Sequence, residues 1–512
     1  MIVKLALLIL FFGSMIGVGI YSRKHAGNVN DFVLGGRSVG PWLTAFAYGT
    51  SYFSAVVFVG YAGQFGWKYG LSSTWIGIGN AVLGSLLAWV VLGRRTRIMT
   101  HHLLAATMPD FFGKRFDSNA LRIAASAIVF IFLIPYTASL YNGLSRLFGM
   151  AFDVPYAWCV VLMATLTGVY VIMGGYMATA INDFIQGIIM LFGIVAVILA
   201  VLNGQGGFLN AVKELSSLPS DVPVTLGQPG AFASFFGPDP VNLMGVVILT
   251  SLGTWGLPQM VHKFYTIKNE KAVKTGTVIS TFFAVIISGG CYFLGGFGRL
   301  FDSPAIYAAD GSVAYDAIIP SMLSTLPNVL IGIVVILVLS ASMSTLSSLV
   351  LTSSSTLTLD FIKGNLVKDL SEKKQLLILR ILIVAFIAVS VVLALDPPTF
   401  IAQLMGISWG ALAGAFLAPF LYGLFWKGVT KCAVWASFIA GVGITVANMI
   451  FKFIQSPINA GAVAMVAGLV IVPVVSLVTP KLDRAHVEEI FECYDETVTV
   501  KRKIALPEKE EA

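Results

Sequence analysis

Charged side chains are scarce in this 512-residue chain, 11% against 57% hydrophobic, where soluble domains carry about 25%. That shortage excludes an ordinary soluble domain and places the chain in a bilayer. Cysteine is scarce as well. Cys159, Cys291, Cys432 and Cys493 have neither paired nor metal-ligand spacing, which excludes a disulfide framework and leaves them as expected packing residues. No nucleophile, base and orienting group are spaced together, and no phosphate-cradling loop occurs, so an enzyme finds no support. The net charge of +7 is no argument for nucleic acid, because it arises from basic residues gathered in alternate loops.

What the chain has in abundance is apolar sequence. Thirteen stretches of about 20 or more residues can be counted, which predicts an all-α integral membrane protein with 13 transmembrane helices. The first, near 3–22, has one lysine ahead of it, no small-x-small cleavage pattern, and Arg23 and Lys24 after it. It reads as a retained helix rather than a signal peptide. Assigning loops alternately puts 26 of the 32 Lys and Arg on one side and six on the other (Lys4, Lys68, Arg146, Lys213, Arg299 and Lys452). The positive-inside rule then gives an N-terminus outside, a C-terminus in the cytoplasm and an odd number of passes across the plasma membrane.

Residues 327–359 form an apolar span that carries Ser340, Ser342, Ser344, Thr345, Ser347 and Ser348. On a helix, Ala341, Ser344, Thr345 and Ser348 share one stripe with Ser347 beside it. Such a column of hard oxygens suits a small cation stripped of water. The competing reading is that hydroxyls in membrane helices bond their own carbonyls or permit close packing. Asp183, in ATAINDFIQGIIMLFG, is the acidic residue that falls well inside an apolar span. It is a functional candidate, weighed against an interfacial aspartate at a helix N-terminus. Pro135 and Tyr136 suggest a kink in the fourth span.

Gly49, Thr50 and Ser51 make a weak spot within the second span, and Gly253, Gly256 and Pro258 break the seventh. Two interrupted helices five spans apart suggest a duplicated unit, and because five is odd the second copy lies inverted. The expected layout is an extra helix and loop (1–40), a first repeat (41–202), an extracellular loop (203–239) with a short helix around FLNAVKEL, and a second repeat (240–426). Two peripheral helices (427–478) and a cytoplasmic tail (479–512) follow.

The segments DFVLGGRSVGP, MPDFFGKRF, YVIMGGYMATAINDFIQG, WGLPQMVHKF and MSTLSS resemble, in order, the sodium/solute symporter family, from about residue 5 to 480. The run YFSAVVFVGYAGQFGWKYG is similar to its pantothenate and monocarboxylate branches, and Tyr136 matches a tyrosine of its proline permeases. The family aspartate before the helix break is Tyr52 here. The resemblance implies a leucine-transporter-like 5+5 inverted repeat with one extra N-terminal and two extra C-terminal helices. It also implies a sodium ion (Na+) held by the carbonyls of Thr50, Phe53 and Ala341 and the hydroxyls of Ser344 and Thr345. A second sodium would take Asp183, Ser344, Ser347 and Ser348. A solute pocket bounded by Tyr52, Ser54, Val56, Tyr136, Thr254, Trp255 and Gln403 would suit a small, partly apolar molecule.

The expected function is sodium-coupled secondary import of a small organic solute, an organic acid, amino acid or vitamin-like molecule, by alternating access. Its partners would be the solute, sodium and the lipid bilayer. The alternatives are a proton-coupled symporter of the same fold, since Asp183 can titrate, and a transporter-like solute sensor without transport.

Overall fold

The computed structural model describes residues 2–152, 154–308, 310–367, 369–396 and 401–495, and among them every regular element is helical. Among the described residues ten helices are long and apolar enough to cross a membrane, and the first helix, Ile2–Ser22, adds a further apolar rod. Helices dominate because a backbone inside hydrocarbon must satisfy its own hydrogen bonds.

Two of the helical runs are far longer than a bilayer needs. Val56–His102 has 47 residues and Tyr156–Gly204 has 49, where about 20 suffice. Each is turned by one glycine in nearly the same conformation, Gly70 (φ 60°, ψ −141°) and Gly175 (φ 54°, ψ −143°). A side chain is strained there, and a Cβ would also meet the Phe232 carbonyl oxygen at 2.1 Å or that of Phe32 at 2.7 Å.

Small residues draw the helices together. A Cβ on Gly66 would lie 1.9 Å from the Gly295 carbonyl oxygen, one on Gly410 would lie 2.8 Å from the Cα of Gly461, and one on Gly441 would meet the backbone of Gly414 and Ala415. Such backbone contact gains dispersion energy where lipid gives no hydrophobic drive between helices. Serines and an asparagine add polar links, Asn80 to Ser288 at 3.0 Å and Ser85 to Ser280 at 2.8 Å.

Centrality follows from burial. The central helix (Ile401–Phe425) and the hydroxyl helix (Asn328–Leu366) are 94% and 78% buried over their most apolar windows, against 33% for Lys431–Phe451 and 39% for Pro457–Val478.

Both helices expected to be interrupted are broken. In the first broken helix, Pro41–Tyr52 ends just beyond the weak spot, the backbone leaving helical geometry at Phe53 (φ −104°, ψ 88°), two residues past Ser51, and helix resumes through Val56–Tyr61. Gly49 itself is helical, and Phe283 fills the space its Cβ would take, at 2.5 Å. In the second broken helix, Pro240–Leu252 passes through a short turn at Gly253–Trp255 and an extended Leu257 before Pro258–Thr266. Asn119–Phe152 carries Pro135 within one continuous helix. The sequence FLNAVKEL lies in a helix, Phe208–Ser217.

The motif loops form one polar framework. Arg122 donates to Asp360 at 3.0 Å and to the Leu359 carbonyl at 3.1 Å and pairs with Asp110 at 3.4 Å. Thr107, the N-cap of Met108–Arg115, donates to Asp360 at 2.5 Å. Arg115 is buried, gives hydrogen bonds to the Gly423 and Trp426 carbonyls, and lies over Phe491 of the tail helix Arg484–Glu492. Burial pushes its guanidinium down to about 10, so it stays charged at neutral pH. Three of the cysteines are buried as packing residues, but Cys432 is exposed in the first turn of its helix, which corrects that expectation for one of the four.

Candidate cation and solute site

The first broken helix and the hydroxyl helix meet where the backbone of the first gives way. The last helical bond there runs from the Phe53 amide to the Gly49 carbonyl at 3.0 Å, so the next carbonyl, that of Thr50, needs another partner. Two hydroxyls of the facing helix point at it. Ser344 Oγ lies 3.1 Å and Thr345 Oγ1 3.2 Å from the Thr50 oxygen, and the same two lie 3.2 and 3.1 Å from the Ala341 carbonyl oxygen.

Four of the five oxygens expected at the first sodium site are thus gathered in one buried cluster. The fifth residue, Phe53, lines a small void that Ala341 also lines. Each hydroxyl has one proton yet faces two carbonyls, at distances long for O–H···O bonds. Hard oxygens only, at dry depth, with carbonyls underserved by the available protons, are a donor set that fits a small monovalent cation.

Asp183 lies on the part of Tyr156–Gly204 that follows the Gly175 turn, and it is wholly buried. Ser347 donates to the Ser344 carbonyl at 2.9 Å, and Ser348 shares a 2.8 Å hydrogen bond with Ser51 of the first broken helix. Between Ser348 and Asp183 stands Lys263, 2% exposed, donating to Ser348 Oγ at 2.9 Å and 3.8 Å from Asp183 Oδ2. Sequence reasoning placed this lysine with the inner loop cations. It is instead inside the helix assembly.

Of the residues expected around a solute, Tyr52, Ser54 and Tyr136 come together around Trp409. Its ring lies 6.1 Å from that of Tyr52 and 6.0 Å from that of Tyr136, whose hydroxyl faces Ser54 and the indole. The hydroxyls of Tyr136 and Tyr61 and the indole N–H of Trp409 find no hydrogen-bond partner among the described residues. Val56 is buried just past the break. Thr254 and Trp255 spend their polar atoms on the Gly84 and Leu83 carbonyls, and Tyr52 donates to the Thr250 carbonyl at 2.6 Å. Tyr52 thus ties the two broken helices to each other, while Thr254 and Trp255 tie the second of them to the span that follows Gly70. Gln403 lines a separate cleft with Gln64, Lys68 and Arg299, while its neighbour Ser408 donates to the Phe132 carbonyl.

Lys263, Trp409 and Tyr61 were missed in sequence. An aromatic residue in an apolar span carries no mark of a pocket, whereas a lysine in PQMVHKF could have drawn notice as a cation three residues short of the helix end.

The model of the sodium:solute symporter family matches residues 32–441. Sodium/proline symporter 2 of Staphylococcus saprophyticus is 31% identical over 452 residues, covering 86% of this chain and 84% of the relative. The sodium/proline symporter of Staphylococcus aureus is 30% identical over 488 residues, covering 93% and 91%. Among solved structures, the substrate-bound outward-open state of a sodium-coupled sialic acid symporter has a TM-score of 0.76 at 16% identity, over 94% of this chain and 99% of that one. A nucleobase-cation-symport-1 family transporter with bromovinylhydantoin bound has a TM-score of 0.51 at 13% identity, over 90% and 97%. At those identities the structures show a shared fold. With most of its length inside the family model, and relatives 30% identical along nearly all of it, this multi-pass membrane protein belongs to the sodium:solute symporter family.

Proposed function

We propose that the chain imports a small, partly apolar organic solute together with sodium by alternating access. The observation that carries this reading is the meeting of Ser344 and Thr345 with the Thr50 carbonyl across a helix break. Sodium enters a nest made of Thr50, Phe53, Ala341, Ser344 and Thr345 and draws the first broken helix onto the hydroxyl helix. The adjoining break carries Ser54 beside Tyr136 and Trp409, so the same closure shapes the solute pocket. Ion and solute thereby favour one state together, which is all that coupling requires. Release follows when the inner side opens to a cytoplasm poor in sodium.

The driving force is adequate with one ion. At 100 mV an inward charge contributes about 2.3 kcal/mol, and a tenfold sodium gradient about 1.4 kcal/mol. Together they support an accumulation of about 500-fold for a neutral solute.

In the bilayer we place thirteen passes. Dividing Val56–His102 at Gly70 and Tyr156–Gly204 at Gly175, and adding Ile2–Ser22, gives that number from the ten long helices. The N-terminus is outside and the C-terminus cytoplasmic, and the spans from 41 to 202 and from 240 to 426 form the two inverted repeats. The pairing of the two broken helices supports this division.

Proteoliposome uptake tests the reading, with labelled L-proline, pyruvate and pantothenate offered singly in sodium or choline medium at several pH values. Proline comes first because of what the relatives at about 30% identity are called. Saturable accumulation that needs sodium is expected for one of them. Uptake driven by a pH gradient and indifferent to sodium would favour proton coupling instead.

A further inference from the structure

Lys263 stands where a second cation would have to go. It lies in Pro258–Thr266, the second half of the second broken helix, in the run PQMVHKFYT. Its ammonium donates to Ser348 Oγ, sits 3.8 Å from Asp183 Oδ2, and is flanked by the Tyr176 ring at 5.4 Å. The described residues offer neither oxygen of Asp183 a hydrogen bond, so the ammonium is what balances that carboxylate. We propose that Lys263 is a resident cation standing in for a second sodium, so that this chain carries one sodium per cycle. The proposal rests on the sodium-coupled reading above.

Charge and geometry agree on it. Asp183 and Lys263 cancel, and a sodium ion added between Asp183 and Ser348 would press against the ammonium in a medium of low dielectric, where like charges repel strongly. Ser348 Oγ already accepts from the ammonium and shares a hydrogen bond with Ser51, which leaves it at most one lone pair for a metal ion. With the lysine present, the donor set of Asp183, Ser347 and Ser348 does not fit a metal cation.

The substitution has a mechanical and an energetic consequence. A sodium ion dissociates into the cytoplasm, but an ammonium tethered to its helix cannot. Lys263 therefore holds four elements together through Asp183, Ser348 and Ser51 without moving charge across the membrane. With a neutral solute, one ion supports an accumulation of about 500-fold at 100 mV and a tenfold sodium gradient, where two would support about 10⁵-fold.

Equilibrium binding of radioactive sodium to the purified full chain decides the matter without knowledge of the solute. The wild type and Lys263→Arg are expected to bind one ion per chain. Lys263→Ala, which frees Asp183 and leaves room, is expected to bind two, and the double variant Lys263→Ala/Asp183→Asn one again. Two ions in the wild type, or one in a monodisperse Lys263→Ala protein, would overturn the role given to the lysine. If Lys263→Ala does not fold, the wild-type count still decides, one supporting the proposal and two overturning it. No binding in the wild type would instead defeat sodium coupling itself, and this proposal with it.

Discussion

The Thr50 carbonyl is a backbone atom, so its part in binding is tested through the hydroxyls that face it. Ser344→Ala and Thr345→Ala each remove one oxygen from a cluster of about five, and each is expected to raise the sodium concentration for half-maximal uptake on the order of tenfold, a loss of about 1.4 kcal/mol. An unchanged sodium dependence in both would contradict the assignment. Tyr136→Phe deletes a hydroxyl that faces Ser54 and Trp409. It is expected to raise the KM for solute several-fold with little change in melting temperature, as measured by uptake kinetics and thermal denaturation together. Ser344 and Thr345 were legible in the sequence because six hydroxyls crowd nine residues of an apolar span. Phe53 was accessible only through family resemblance, since a carbonyl ligand leaves no side-chain signature. Lys263 was misplaced because one lysine near the end of an apolar run looks like an interfacial cation, and only the packing of three other helices around it shows that it is buried.

At the scale of the element, the breaks and turns govern what the helices can do. The break in Pro240–Thr266 was legible because Pro258 lacks the amide that a continuing helix needs. The break after Pro41–Tyr52 was placed two residues early, because Phe53 and Ser54 carry no local signal and the small residue at Gly49 serves packing against Phe283. Gly70 and Gly175 fall at the boundaries between apolar stretches read from the sequence, and their positive φ explains why glycine stands there. Close packing gives a direct test. Gly66→Ala would force a Cβ to within 1.9 Å of the Gly295 carbonyl oxygen, whereas a Cβ on Gly13 meets nothing within 4 Å. Gly66→Ala is expected to lower the melting temperature sharply or to prevent recovery of folded protein, and Gly13→Ala to leave both unchanged. Equal stability of the two variants would show that the helices at 62–69 and 270–295 are not in backbone contact.

For the whole molecule, the apolar class and the number of long hydrophobic runs followed from composition, because bilayer thickness sets helix length. Which helices are central did not follow from composition. The burial of the central helix and the placing of Arg122 between Asp110 and Asp360 depend on contacts between separate elements, the longest of these joining Arg122 to Asp360, 238 residues on. Orientation yields to labelling, since Cys432 is exposed while Cys159, Cys291 and Cys493 are buried. A membrane-impermeant maleimide is expected to modify Cys432 only after cells are permeabilised, and modification in intact cells would invert the proposed topology. The claim on which everything else rests is that sodium joins the first broken helix to the hydroxyl helix. Thermal denaturation of the purified protein in sodium chloride against choline chloride at equal ionic strength tests it most directly. A ligand at 100 times its Kd stabilises the state it binds by about 2.7 kcal/mol. A saturable sodium-dependent rise in melting temperature is expected in the wild type and is expected to vanish when Ser344 and Thr345 are both alanine. A melting temperature indifferent to sodium, or a rise that survives the double substitution, would contradict it.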